Sequence, residues 1–216
     1  MKKRLIIEVV CGILIFAVGF LVGDNSAVNR VNKTISTTVE NKQENSTKNA
    51  TQQVSNTKDN NQEKNNETKI SKLGEEGKSG KWNMKVLEVK ETNTVQGGNS
   101  SDNKTTKDKF IVVKLQIKNI SKEPIQYSER EFMLGNMKDK AQYNINDIAF
   151  DAMQSANSKE SIYKKNSEFI GVYKDVNPNT TKQTYLVFEV PKDMNISDSV
   201  LLNSNSESEP VGFYLN

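Results

Sequence analysis

Hydrophobic positions along the chain fall into three regimes. Leu5 to Val22 is an apolar run preceded by Lys2, Lys3 and Arg4. From Asp24 to Lys72 only scattered apolar residues remain, such as Val31, Ile35, Val39 and Val54, and they keep no sustained helical or strand period. No aromatic residue stands between Phe20 and Trp82. From about Gly74 onward the pattern changes to short alternating stretches separated by turn residues. The layout predicts an anchor helix over 1–23, a disordered polar linker over 24–75 and a folded head over 76–216.

Within the head the alternation predicts strands. Trp82 to Val89 alternates as far as Val86, and Leu87 breaks the pattern in the manner of a bulge. Thr92 to Asp108 is rich in Gly, Ser, Asn and Lys and reads as a long polar hairpin loop. Lys109 to Asn119 is the strongest strand: Ile111, Val113, Leu115 and Ile117 share one face, while Lys114, Gln116 and Lys118 line the other. One wet face implies an antiparallel, half-buried sheet. Asn119 to Pro124 is a turn, and Ile125 to Tyr127 resumes extended structure. Further strands are expected at Glu131–Leu134, Phe169–Tyr173, Gln183–Pro191, Ser199–Asn203 and Val211–Leu215, with a turn at Asn177–Thr180. In Asn144–Asn157, Ile145, Ile148, Ala149, Ala152 and Met153 suit a short helix. Seven or eight short strands with turns between them indicate an all-β, antiparallel β-sandwich.

The apolar run is Leu5, Ile6, Ile7, Val9, Val10, Ile13, Leu14, Ile15, Phe16, Val18, Phe20, Leu21 and Val22, interrupted by Glu8, Cys11, Gly12, Ala17 and Gly19. Roughly 18 residues of helix span about 27 Å, against about 30 Å of bilayer hydrocarbon. Glu8 lies close enough to the cytoplasmic headgroups to reach them. An uncleaved helix, N-terminus inside and head outside, is the reading these residues favour. Cleavage after Gly19 would leave Phe20, Leu21 and Val22 as an apolar stub, and lipidation of Cys11 would find Val10 and Glu8 where small and aliphatic residues are needed. Cys11 is the only cysteine, so the head must rest on its core and not on disulfides.

The linker cannot bury enough surface to offset its chain entropy. About 50 coil residues give an r.m.s. reach of roughly 40 Å. The sequons at Asn32, Asn45, Asn49 and Asn66 would be glycosylated in a eukaryote, but so much Asn and Lys fits coding bias in a low-GC bacterium.

Three segments carry a family resemblance: KFIVVKLQIKNISKEPIQY, the strand containing Phe132, Met133 and Leu134, and NPNTTKQTYLVFEVPKDM. Over roughly Lys78 to Asn216 the chain resembles the telokin-like, immunoglobulin-like domain of unknown function. That domain is found on surface lipoproteins and membrane-anchored proteins of Gram-positive bacteria and is related to a mycobacterial secreted immunoprotective antigen. The resemblance implies an immunoglobulin-like sandwich and offers no catalytic residues. This chain departs from the family layout in lacking a convincing lipobox.

Candidate chemistry is sparse. The chain has no His, which removes the commonest general base and zinc ligand. Gly77-Lys78-Ser79-Gly80-Lys81 echoes a phosphate loop, but Lys72 occupies the required first Gly and a strand follows instead of a helix. Glu129, Glu131, Asp139, Asp147 and Asp151 are carboxylates interspersed with cations, as on a solvated face. Net charge is +3 with the cations spread along the chain, unlike a nucleic-acid stripe. Lys104, Lys107 and Lys109 beside the 92–108 loop are candidate contacts for anionic wall polymer or lipid headgroups, against the ordinary reading of a solubilising loop. The expectation is a non-enzymatic membrane-anchored module that needs no cofactor and binds an envelope protein, peptide or wall polymer. The alternative is a passive or regulatory subunit of a membrane complex, acting through a helix whose Gly12 and Gly19 share one face.

Overall fold

The computed structural model describes residues 69–170, 174–204 and 209–216. The expected anchor and the linker up to residue 68 lie outside the described residues. Among the described residues, no helix is long and apolar enough to cross a membrane.

Among the described residues the strands are β1 (Lys69–Ser71), β2 (Glu76–Ser79), β3 (Trp82–Val95), β4 (Lys104–Asn119), β5 (Ile125–Gln126), β6 (Phe132–Asn136), β7 (Ala141–Tyr143), β8 (Asp175–Val176), β9 (Thr181–Val190), β10 (Ser199–Asn203) and β11 (Val211–Tyr214), with an α-helix, α1 (Asp147–Ser158), between β7 and β8. They build a five-stranded sheet in the order β1-β11-β10-β6-β7, a four-stranded sheet in the order β2-β3-β4-β9, and a small β5-β8 pair. β1 runs parallel to β11, and the other pairs are antiparallel. The head is therefore a β-sandwich, as the alternation predicts. Met84 and Val86 of β3, Val113, Leu115 and Ile117 of β4 and Leu186 and Phe188 of β9 join Leu134, Leu201 and Phe213 of the other sheet in one buried core. Alternation on β4 places these side chains on one face, and burying each contributes roughly 1.5–3 kcal/mol.

The opposite face of β4 is apolar where it meets β9. Phe110 stands opposite Glu189 and Val112 opposite Val187, and Phe110 and Val187 are fully buried. α1 supplies the cover, packing against β9, β4 and β3. Its buried stripe, Ala149, Ala152, Met153 and Ala156, follows helical spacing, and the three alanines let the helix approach closely. Asn146 caps it, its side-chain oxygen accepting from the Ala149 amide at 2.8 Å.

β9 is an edge strand whose outward backbone groups need partners. The buried Asn157 provides them at Tyr185: its Nδ2 donates to the Tyr185 carbonyl (2.9 Å), and its Oδ1 accepts from the Tyr185 amide (2.8 Å) and from the Thr184 hydroxyl (3.2 Å). Two residues along, the Gln183 amide donates to the Glu168 carbonyl and the Gln183 carbonyl accepts from the Ile170 amide. A side-chain amide and one stretch of irregular chain thus stand in for a further strand.

Several expectations need revision. β1 lies within the stretch that composition assigns to the linker; the last strand, β11, pairs with it, and Ser71 is buried. The 92–108 segment is mostly strand, with β3 running to Val95 and β4 starting at Lys104. Polar composition hid this, because the arms of that hairpin stand clear of the sandwich core. Of the strand expected at Phe169–Tyr173, residues 171–173 lie outside the described residues, and Phe169 forms an isolated parallel bridge with Gln183. The Gly-rich 77–81 stretch is the β2–β3 hairpin, with Gly80 at φ 54°. The break at Leu87 is a register shift between Val86 and Glu88, as expected.

Replacing Asn157 with Leu strands the amide and carbonyl of Tyr185, and urea unfolding should show a loss of about 2–4 kcal/mol. The fully buried Tyr127 hydroxyl has no hydrogen-bond partner among the described residues. Burial pushes its pKa well up, Glu129 and Glu131 add to that, and the Thr184 hydroxyl pulls the other way. A raised folded value means that the native state holds its proton longer than the unfolded chain does. The contribution is therefore complete below the unfolded value of 10.0 and is lost as pH rises past it. Tyr127→Phe should leave stability at pH 7 unchanged or raise it by up to about 1 kcal/mol. It should also make the alkaline fall in urea midpoint shallower.

Candidate ligand-binding cleft

The β3–β4 hairpin does not run straight. Thr92 pairs with Phe110 and Thr94 with Thr105, so Thr106 to Lys109 stand opposite Asn93 alone. Such an irregularity bends a hairpin. Beyond it, the tip meets the end of α1. A single turn of π-helix, Lys159–Tyr163, continues α1 and carries Tyr163 to the tip.

The contact at the tip is a polar latch. Asn99 caps the short turn Ser100–Asp102, its side chain accepting from the amides of Ser101 and Asp102. The Tyr163 hydroxyl donates to Asp102 Oδ2 at 2.9 Å, and Asn99 Nδ2 donates to the same oxygen at 2.7 Å. That bond to Asp102 is the first cause of the Tyr163 phenol being held above its usual pKa. Gly98 and Gly97 are required by space: a Cβ on Gly98 would lie 2.1 Å from Tyr163 Cδ2, and one on Gly97 would lie 2.7 Å from the Asp102 carbonyl oxygen.

Between hairpin and helix lies a cleft of about 430 Å³. Its floor is the outer face of the four-stranded sheet, with Glu88, Lys90 and Thr92 from β3, Val112 and Lys114 from β4 and Tyr185 from β9. Ala156, Lys159 and Glu160 form the helix wall, and Thr94, Val95 and Gln96 the hairpin side. Glu88 and Lys114 are cross-strand partners, yet no ion pair joins them among the described residues. Instead Lys114 Nζ stands 5.5 Å from the centroid of the Phe169 ring, which packs on Tyr185 at 5.2 Å. Glu160 is paired with Lys164 at 2.7 Å. Lys159 Nζ donates to Gln96 Oε1 at 3.3 Å across the cleft. The Tyr185 phenol is pushed up by burial first, then by Glu160 and Glu88.

The lysines singled out by sequence sit elsewhere. Lys104, Lys107 and Lys109 belong to β4 and not to a loop, and none lines the cleft. Lys109 Nζ is committed to Glu91 Oε2 at 2.7 Å and to the Met194 carbonyl at 2.5 Å. Lys107 is exposed, and Lys104 lies opposite Val95. Of the carboxylates, Glu129 is buried with one oxygen unpartnered, while Asp147 and Asp151 are exposed on α1. Sequence reasoning passed over Glu88, Lys90, Tyr163 and Tyr185. Lys114 was placed on the wet face by alternation, but nothing local shows that a helix and a bent hairpin enclose that face.

Gly98→Ala should drive the Tyr163 ring off the hairpin tip. In a spectrophotometric titration with Tyr163→Phe as the reference, the Tyr163 phenol should then titrate nearer its ordinary value. Native-state exchange at the tip amides should quicken by about tenfold or more, while the core amides stay protected.

Several solved structures are similar in fold. The yjhA protein from Bacillus subtilis is 15% identical with a TM-score of 0.45, covering 68% of this chain and 99% of its own. An uncharacterised β-sandwich protein from Clostridium difficile is 13% identical at 0.45, covering 69% and 95%. The secreted protein MPT63 from Mycobacterium tuberculosis is 13% identical at 0.45, covering 68% and 97%. No curated protein matches the chain. The family model described as "Domain of unknown function (DUF4352)" matches residues 71–204, from β1 through β10 and across every strand that floors the cleft, and the chain belongs to that family.

Proposed function

We propose that the chain is a non-catalytic binding module of the bacterial cell envelope, held by an uncleaved N-terminal helix with its immunoglobulin-like head outside the membrane. The apolar run after Lys2, Lys3 and Arg4 supports the anchor and its orientation. The observation that carries the binding role is the latched cleft. A concave, partly apolar surface with a few convergent charges is what small-ligand and peptide sites require. Its chemistry suits recognition better than turnover. The chain has no His, and the wall carboxylate Glu160 is engaged by Lys164, which leaves Glu88 as the cleft's unpaired carboxylate.

A cell-surface fusion tests the orientation: alkaline phosphatase joined after Asn216 should be active, and green fluorescent protein at the same place dark. Affinity capture from native envelope tests the binding. Wild-type protein should retain material saturably, Lys90→Trp should fill the cleft and lose it, and Lys122→Trp, on the turn at the far end of β4, should retain it. Equal retention by both variants would contradict a cleft-borne function. Exchanging residues 1–23 for an unrelated anchor should leave function intact. Loss of function in a folded, surface-displayed swap would favour the regulatory reading, in which the helix is the contact.

A further inference from the structure

We propose that the cleft takes a short peptide in zwitterionic form, its carboxylate held by the floor lysines and its free ammonium by Glu88. This rests on the reading of the cleft as a binding site and names the chemistry of its ligand. The charges on the floor are of both signs and separate from one another. The side chains of Glu88 and Lys90 have no ion-pair or hydrogen-bond partner among the described residues. Lys114 is the natural mate of Glu88 across the strands, yet its ammonium lies over the Phe169 ring. Lys159 holds only an amide oxygen across the opening. Oppositely charged side chains facing one cleft without pairing leave Glu88 as an acceptor and Lys90 as a donor open to a ligand, with Lys114 and Lys159 held beside them by weaker contacts. A ligand with one charge alone would satisfy only part of that set.

The surface between these charges selects the spacer. Tyr185 and Val112, both partly buried, give the cleft an apolar portion beside its charges, backed by the buried Val95 and Ala156. The volume, about 430 Å³, is within the range of about 300–1,000 Å³ typical of small-molecule sites. Glu88 and Lys90 are exposed at the cleft mouth, and ammonium–carboxylate contacts with them would be charge-assisted, stronger than the same contacts between neutral groups.

The test is calorimetric titration of the purified full chain, in mild detergent, with trialanine, N-acetyl-trialanine, trialanine amide, glycerophosphoethanolamine and a neutral N-acetylglucosamine trimer. Trialanine should bind saturably. Acetylation and amidation should each weaken binding by about tenfold or more, one step of 1.4 kcal/mol per tenfold. Glu88→Gln should remove the penalty for acetylation while keeping that for amidation, and Lys90→Gln should do the reverse. The ligand-side changes leave the protein untouched, so the outcome stands even if a variant folds poorly. Equal binding of the blocked and free peptides overturns the proposal, as does glycerophosphoethanolamine binding as tightly as trialanine. Envelope capture that is lost in Lys90→Trp, with no trialanine binding, would overturn the zwitterion alone and leave the binding module standing. Failure of both would overturn the two together.

Discussion

Phe110 and Val187 are fully buried on the face of the four-stranded sheet that points away from the sandwich core, and covering them is the constraint from which the rest of the head follows. A half-wet sheet needs no third layer. This one carries apolar side chains on both faces of β4 and β9, so a helix must lie against it, and a helix must then be anchored. Ala149, Ala152 and Ala156 set its distance, and Asn157 fixes its far end by bonding the exposed edge of β9. One side chain therefore closes an edge and seats a helix. Deleting it leaves buried peptide groups without partners, which costs more than the lost bonds alone would suggest.

The cleft is a by-product of that cover. α1 lies chiefly over β9 and β4 and meets β3 less. Toward β3 the floor turns to Glu88, Lys90 and Thr92, and the bent hairpin arches above it. The Tyr163–Asp102–Asn99 latch joins two elements that are far apart in sequence, and it is exposed, so water competes for each of its bonds. Exposed polar contacts of this kind are weak individually and open at low cost. The floor rests on the rigid sheet and the roof on a latch, an arrangement in which a ligand can order the roof without disturbing the core.

How much of this the sequence disclosed depended on periodicity. β4 and β9 are legible because alternation over consecutive residues reports a face directly, the bulge at Leu87 as a break in such alternation, and β10 and β11 as short apolar stretches without it. β1, β7 and β8 are too short to show a period, and β1 lies in polar company. The distal arms of β3 and β4 read as a loop because, Val95 apart, their side chains stay out of the buried core and their sequence carries no apolar alternation. The latch was not legible at all. Gly98 and Tyr163 look ordinary alone, and only the fold brings a glycine without a Cβ under that ring. The family resemblance pointed correctly to a β-sandwich, but a sandwich is a scaffold and does not specify its site.

The central claim is that the head works through the cleft between hairpin and helix. The most direct measurement is site-specific photo-crosslinking in living cells, with a photoreactive residue placed at Gln96 on the cleft rim or at Lys122 at the opposite end of β4. The account predicts a discrete adduct from Gln96 that free trialanine suppresses, and none from Lys122. An adduct from Lys122 with none from Gln96 would contradict it.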